Sequence, residues 1–359
     1  MKAKNTILAA AVTAALSLGM AGEAAASVYG RSYLKINNLT VFLSDDGGQT
    51  AGGATVKSFN FNLSTVADLN GNTSAGAAAC SGKPGVPGPG TNNCNPESNT
   101  GLNTAGTVLD EAAVNGGGSN PVRANNDFSF FGAGANQYSS ADAVIYTAQL
   151  TQGVPTSTEQ IAESELQTGT SASASAEIQS TTGFTFLFTV DGANQIKVAF
   201  EADSSRFVQI EDPLALTASA QANMKVEFGL ANDTTGDKVT WNPNGNTATG
   251  TSASTGLVPT EVKDDFDLNA DFGVTDLPCS RAGAPAPAAG CPAAGLTRTG
   301  ALYELIVTGL YDGEWTLTLN AVTSTSLART VPVPEPATLA LLGMGLMGFG
   351  FASRRRKQA

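Results

Sequence analysis

The chain has 359 residues with 19 Lys and Arg against 31 Asp and Glu, a net charge of −12, four cysteines and no histidine. Without histidine there is no Ser-His-Asp or Cys-His nucleophilic site, no imidazole metal ligand and no imidazole proton shuttle near neutral pH. Loss of the two lysines and one glutamate before Ser27 and of the four basic residues after Pro336 takes the charge to −17, which repels nucleic acid and anionic lipid and favours divalent cations or cationic partners.

Residues 1–26 read as a secretory signal peptide: Lys2 and Lys4, an apolar stretch from Ile7 to Leu18 too short to anchor, then small residues through Ala24 and Ala26, with cleavage before Ser27. Residues 27–330 form the exported body. Thr55 to Leu63 alternates as a strand with one irregularity. Asp68 to Asn72 is a turn, and 70–107, 115–126, 242–256 and 279–295 are rich in Gly, Ser, Asn and Pro and read as long surface loops. Helix-compatible composition is confined to Ala141–Gln152 and Thr158–Gln167, the latter opening on a capping signature. Phe184 to Val190 and Ile196 to Phe200 share a period of two around Asp191-Gly192, a hairpin by its turn chemistry. Met224 to Leu230 is a strand with Lys238 to Trp241 as its partner, and Leu302 to Leu310 and Trp315 to Val322 form another hairpin. The expected fold is mainly β: an antiparallel β-sandwich-like body with long loops, one or two short helices, and no repeat of solenoid or propeller period. A division near 153–176 is the alternative to one domain.

Cys80 with Cys94 and Cys279 with Cys291 are two local pairs inside loops. Three connectivities are open; an oxidising compartment favours the local one, and closing a loop of about 15 residues stabilises by roughly 3 kcal/mol. Asp265, Asp267, Asn269 and Asp271 alternate like the oxygen ligands of a calcium loop. Ala270 and Asp276 stand where an EF-hand has glycine and glutamate, and the same alternation suits an amphipathic strand with an acidic face. Calcium is therefore the one weak cofactor candidate. Glu201, Glu211, Asp212 and Glu227 are the carboxylates a glycoside hydrolase would draw on, though nothing in their spacing brings them together and a catalytic role for the body is not expected. Trp241, Trp315, Tyr303 and Tyr311 are the aromatics a carbohydrate-binding module would expose, with core packing as their other role.

The C-terminus carries the most information. A linker at 331–336 holds Pro334-Glu335-Pro336, whose two prolines keep it extended and unpaired. An apolar stretch at 337–353 has the composition of a short transmembrane helix, and Arg354, Arg355, Arg356 and Lys357 form a basic tail at 354–359 that stays cytoplasmic, so the body lies outside. This ending resembles the PEP-CTERM sorting signal of bacterial surface and exopolysaccharide-associated proteins. More weakly, 27–38 is similar to an exosortase-dependent surface protein subgroup of undefined activity. The resemblance implies a partner, the membrane-embedded transpeptidase-like enzyme exosortase, with cutting near Pro334-Glu335-Pro336 and transfer to the surface. It also implies a structural or adhesive role in the envelope or exopolysaccharide matrix of a Gram-negative bacterium.

Overall fold

The computed structural model describes residues 27–44, 54–82, 107–115, 127–132, 137–146, 156–166, 172–178, 184–192, 195–211, 217–275 and 295–330. Every regular element among them is a strand: β1 (Ser27–Ser44), β2 (Ala54–Leu69), β3 (Asn72–Gly82), β4 (Thr107–Asn115), β5 (Tyr138–Tyr146), β6 (Thr156–Leu166), β7 (Ala172–Ile178), β8 (Phe184–Val190), β9 (Gln195–Glu211), β10 (Thr217–Asn232), β11 (Lys238–Trp241), β12 (Thr251–Ala253), β13 (Val258–Asp264), β14 (Phe272–Thr275), β15 (Gly295–Thr308) and β16 (Gly313–Thr330). A seven-stranded sheet runs β13-β15-β9-β1-β6-β5-β4. A nine-stranded sheet runs β12-β11-β10-β16-β7-β2-β3, with β14 added on β10 and β8 bridging β16 and β2. β1 is hydrogen-bonded to both β6 and β9, so one sheet joins strands from either side of 153–176.

The period-2 patterning explains why the sheets face one another. On β8, Phe184, Phe186, Phe188 and Val190 are buried while the residues between them are half-buried. β9 buries Ile196, Val198 and Phe200 in the same way, and β10 buries Met224, Val226, Phe228 and Leu230. Phe200 of the seven-stranded sheet stacks on Phe228 of the nine-stranded sheet at 5.2 Å and on Tyr303 at 4.7 Å, with Trp241 4.9 Å from Phe228. Each such side chain contributes about 1.5–3 kcal/mol on leaving water. A second, smaller cluster gathers Val28, Leu69, Leu166, Val208, Ile210, Ala218, Ala220, Ala222 and Leu327.

Between the two clusters lies a buried polar belt. Ser32 Oγ donates to the Asn223 carbonyl at 2.8 Å, Thr323 Oγ1 to Gln160 Oε1 at 3.4 Å, and Ser164 Oγ lies 3.0 Å from Thr325 Oγ1. Each contact crosses from one sheet to the other. The belt therefore satisfies its own hydroxyls inside the sandwich, as buried polar groups require.

Several local expectations are corrected. Residues 138–146 and 156–166 are strands, β5 and β6, rather than helices; both are buried on both faces, an environment set by neighbours rather than by helix propensity. The Asp191-Gly192 turn does not close a hairpin: β8 and β9 belong to opposite sheets, and the turn is an arch between them. The same holds for β15 and β16 around Leu310 to Asp312. A hairpin and an arch share the same alternation and turn chemistry, differing only in whether the apolar faces end side by side or face to face. The arches touch, with Gly192 N donating to Asp312 Oδ1 at 2.8 Å. Gly309 (φ 87°) is required in the second, because a Cβ there would meet the Gly256 carbonyl oxygen at 2.2 Å. Residues 72–82, expected as loop, form β3 along the edge of β2, joined by Asn70 and Gly71, both at positive φ. Part of 242–256 likewise forms β12 on β11. The pairing of Lys238–Trp241 with β10 is as expected, Phe228 opposite Trp241, and β2 carries its irregularity between Val56 and Ser58.

The arch topology has a direct check. Cysteines in place of Leu187 and Thr316, which are partners across β8 and β16, will oxidise to a cross-link found by peptide mass spectrometry. Cysteines in place of Leu187 and Lys197, which would be partners only in a hairpin that set Phe188 beside Ile196, will not.

Candidate functional site

Two features meet at one end of the sandwich. Ser27 begins β1 opposite Glu211, where β9 ends, and Thr330 ends β16 opposite Thr217, where β10 begins. Val28 and Leu327 share the smaller apolar cluster there. Gly30 brings the sheets close at that level, since a Cβ on it would meet Leu327 Cδ2 at 3.0 Å. The expected signal-cleavage position and the exit toward the C-terminal segment thus lie together. From Thr330 to Pro334 the chain reaches at most about 14 Å even when fully extended. Ala24, Ala26, Pro334, Glu335, Pro336, the apolar stretch 337–353 and Arg354 to Lys357 lie outside the described residues, as do Cys94, Cys279 and Cys291; Cys80 is placed only by its backbone, in β3 opposite Phe61.

The outer face of the seven-stranded sheet holds a charged cluster that sequence reasoning missed. Tyr29, Arg31, Tyr33 and Lys35 alternate along β1 and stand opposite Glu165, Glu163, Ile161 and Glu159 of β6. Lys35 Nζ lies 3.1 Å from Glu159 Oε2, and Tyr33 Oη donates to Glu159 Oε1 at 2.7 Å. Tyr29 Oη donates to Glu163, which is fully buried and also accepts from Phe131 N at 3.2 Å and Gly132 N at 3.0 Å. Burial, reinforced by the neighbouring carboxylates, pushes both tyrosine hydroxyls well above their ordinary range. The buried Asp142 accepts from Asp127 N at 2.9 Å. Residues 127–132 are thus a strap clamped to the sheet by two carboxylates, with Phe130 edge-on to Tyr33 at 5.5 Å and under the Arg31 guanidinium at 3.8 Å. The alternation Tyr-x-Arg-x-Tyr-x-Lys in β1 was the available signal. The helical reading of 158–167 hid its partners.

The calcium candidates are engaged in the loop after β13. Asp265 Oδ2 accepts from Leu302 N at 2.8 Å, Asp267 Oδ1 from Asn269 N at 2.7 Å, and Asn269 Oδ1 from Val226 N at 2.8 Å while its amide donates to the Pro243 carbonyl at 2.7 Å. Asp271 is exposed and, with Asn269, lines a groove; Asp265 is exposed as well. The segment is therefore irregular backbone fixed by side-chain to main-chain hydrogen bonds, correcting the amphipathic-strand expectation for 264–272. Among the described residues no three Asp, Glu, Cys or His side chains gather as a metal site. Glu201 and Glu227 stand on the outer faces of opposite sheets and do not converge; the Glu211 side chain and Asp212 are outside the described set. Trp241, Trp315 and Tyr303 are core residues, and of the four aromatics only Tyr311 is exposed, at 38%.

A groove of about 430 Å³ lies over the outer face of the nine-stranded sheet, lined by Asn223, Lys225, Glu227, Asn242, Asn269 and Asp271 among others. At the far end of the body from Thr330, Tyr311 Oη donates to Asp237 Oδ2 at 2.6 Å and Thr235 Oγ1 to the same oxygen at 2.8 Å. These hydrogen bonds hold the Asp237 carboxyl below the usual range and push the Tyr311 hydroxyl up.

Against this geometry, the PEP-CTERM protein-sorting motif matches residues 332–357, beginning just beyond the last residue of β16. The chain carries a PEP-CTERM sorting signal, as the sequence indicated. That signal marks an exported protein sorted by exosortase, with a C-terminal membrane anchor that is processed as the protein reaches the cell surface. No curated protein and no solved structure matches the chain.

Two measurements probe the clusters. Glu163→Gln keeps the shape but weakens charge-assisted bonds, each worth about 1.5–3 kcal/mol; the amides of Phe131 and Gly132 will lose hydrogen-exchange protection before those of the sheet. Because the folded Asp237 has a lowered pKa, its contribution is present above the unfolded value near 3.9 and is lost as pH falls through the folded one. Tyr311→Phe will move the Asp237 titration upward in an NMR pH series.

Proposed function

We propose that this chain is a structural or adhesive component of the cell envelope or exopolysaccharide matrix of a Gram-negative bacterium, acting as a substrate of exosortase rather than as an enzyme. The observation that carries the reading is the position of the sorting motif, whose match begins at residue 332, immediately after a strand at the centre of a sheet. In this reading Pro334-Glu335-Pro336 enters the exosortase cleft as an extended peptide. The apolar segment 337–353 holds it at the lipid boundary and Arg354 to Lys357 fix the orientation. With Ser27 and Thr330 at one end, the end bearing Asp191, Asp237, Tyr311 and Asp312 projects outward, where neighbouring matrix components meet it.

A second reading is carbohydrate binding, and the groove favours it: amide and carboxyl groups of Asn223, Asn242, Asn269, Glu227 and Asp271 suit sugar hydroxyls beside the apolar Met224 and Val322. The core positions of Trp241 and Trp315 move any such site away from those residues. Loss of polysaccharide pull-down on Asn242→Ala, with retention on Tyr311→Ala, is the expected result for that reading.

Mass spectrometry of the mature protein tests the sorting role. A C-terminus near Pro334-Glu335-Pro336 is expected, together with accumulation of the full-length membrane form when Glu335 is replaced by Ala or the host lacks exosortase. A surface protein intact through Ala359 would reject it.

A further inference from the structure

At the edge where β11 and β12 of one sheet face β13 and β15 of the other, two acidic side chains point inward. β13 carries a bulge between Glu261 and Lys263, which turns Val262 outward to 45% exposure. As a result Glu261, opposite Leu305, and Asp264, opposite Tyr303, share the buried face. They are only 8% and 7% exposed. Asp264 Oδ2 accepts from Asn244 N at 2.9 Å and Asn246 N at 3.2 Å. Asp264 Oδ1 and both carboxylate oxygens of Glu261 are buried with no hydrogen-bond partner. Trp241 Nε1 and the Gly250 amide face Glu261 without reaching hydrogen-bond geometry.

No cation answers this charge. Neither carboxylate has an ion-pair partner among the described residues. The buried Arg206, on β9 with β15 between it and β13, spends its guanidinium on the carbonyls of Ala270 and Asp267, and Lys263 is exposed. Two buried carboxylates with three open anionic oxygens are costly unless a proton or a cation joins them. Burial pushes both carboxyls upward, and each gains a further push from a neighbouring acid, Asp264 on Glu261 and Asp267 on Asp264. The packing around the Glu261 carboxylate is tight. Gly250 lies against the Glu261 carboxylate so closely that a Cβ would meet Glu261 Oε1 at 2.2 Å and the Asn242 carbonyl oxygen at 2.7 Å.

We propose that Glu261 and Asp264 form a buried site for a hard divalent cation, calcium foremost, between the edges of the two sheets. Two carboxylates balance the double charge. Their open oxygens supply three of the six to eight ligands calcium takes, the Asn242 carbonyl stands beside them, and water supplies the rest. The site is distinct from the Asp265 to Asp271 alternation, of which Asp265, Asp267 and Asn269 are engaged in holding the loop. It ties β13 to the nine-stranded sheet, so its occupancy stabilises the open edge of the sandwich in a calcium-containing exterior.

The test uses the full chain purified in detergent, stripped with EDTA and titrated with calcium chloride. One equivalent of bound calcium by elemental analysis, a melting temperature raised by several degrees, and a change in Trp241 fluorescence are expected. Glu261→Gln and Asp264→Asn should abolish all three while melting in EDTA no lower than the unaltered protein, which shows that they fold. Asp271→Asn should keep all three. Absence of any bound calcium and of any shift at millimolar calcium, magnesium or manganese would overturn the site and leave protons to neutralise the pair. A calcium response that survives Glu261→Gln, or that vanishes with Asp271→Asn, would overturn it equally.

Discussion

The structure depends on where the two ends of the body go. β1, the first strand, is central in the seven-stranded sheet, and β16, the last, is central in the nine-stranded one. β16 holds β10 along its whole length on one edge and β8 and β7 in succession on the other. Neither of these last two is its neighbour in sequence, and β10 is reached only across the intervening β11 to β15. Each pairing therefore closes a long loop, whose entropy must be offset before the contact contributes. The nine-stranded sheet cannot be completed until Thr330 is available, and the match to the sorting signal begins two residues later. For a chain held at the membrane by its C-terminal apolar segment, arrest and completion of the fold become nearly the same event.

How much of this was legible differs by the range of the interaction. Strand periodicity in β8, β9, β10, β15 and β16 was plain, because alternation is a property of each strand alone. The β10–β11 pairing was legible too, since a short turn fixes its partner. Partner choice across the arches could not be read. Asp191-Gly192 fixes the bend but not whether Ile196 lands beside Phe188 or across from it. β5 and β6 were misread for a related reason. Thr158-Glu159-Gln160-Ile161-Ala162-Glu163 has the composition of a helix start, and only the contributions of Lys35, Tyr33, Tyr29 and the 127–132 strap make its glutamates acceptable in a doubly covered strand.

The candidate sites show the same division. The alternation Asp265, Asp267, Asn269, Asp271 attracted attention because it is visible in one dimension, yet its first three members are used up by amides of Leu302, Asn269 and Val226. Glu261 and Asp264 are three apart with no pattern around them. They share a face only because of the bulge at Val262, and the buried Arg206, two strands away on β9, is held by the Asp267 and Ala270 carbonyls. By contrast the sorting signal was fully legible, since its parts act in sequence order and need no fold to bring them together.

The polar belt has a role that derives from strand length. β1, β9, β10 and β16 each run for 16 to 18 residues, and at the end that holds Thr217 and Thr330, β10 and β16 are rich in Ala, Ser and Thr, which pack weakly and would tolerate sliding. A slip by one residue reverses every face, but a slip by two preserves alternation and is opposed only by the particular side chains met. The belt supplies that opposition. Ser32 in β1, Thr65 in β2, Ser164 in β6, Ser204 in β9 and Thr323 and Thr325 in β16 all turn polar at the same level, between residues that belong to the two apolar clusters. A two-residue slip of β16 would carry Thr323 to the level of Ala321, into the large core where no Gln160 awaits it, and would set Leu327 against Ser164. Each stranded hydroxyl costs about 1–3 kcal/mol. The belt thus locks the register of the strand that leads into the sorting signal, and with it the distance at which that signal is presented.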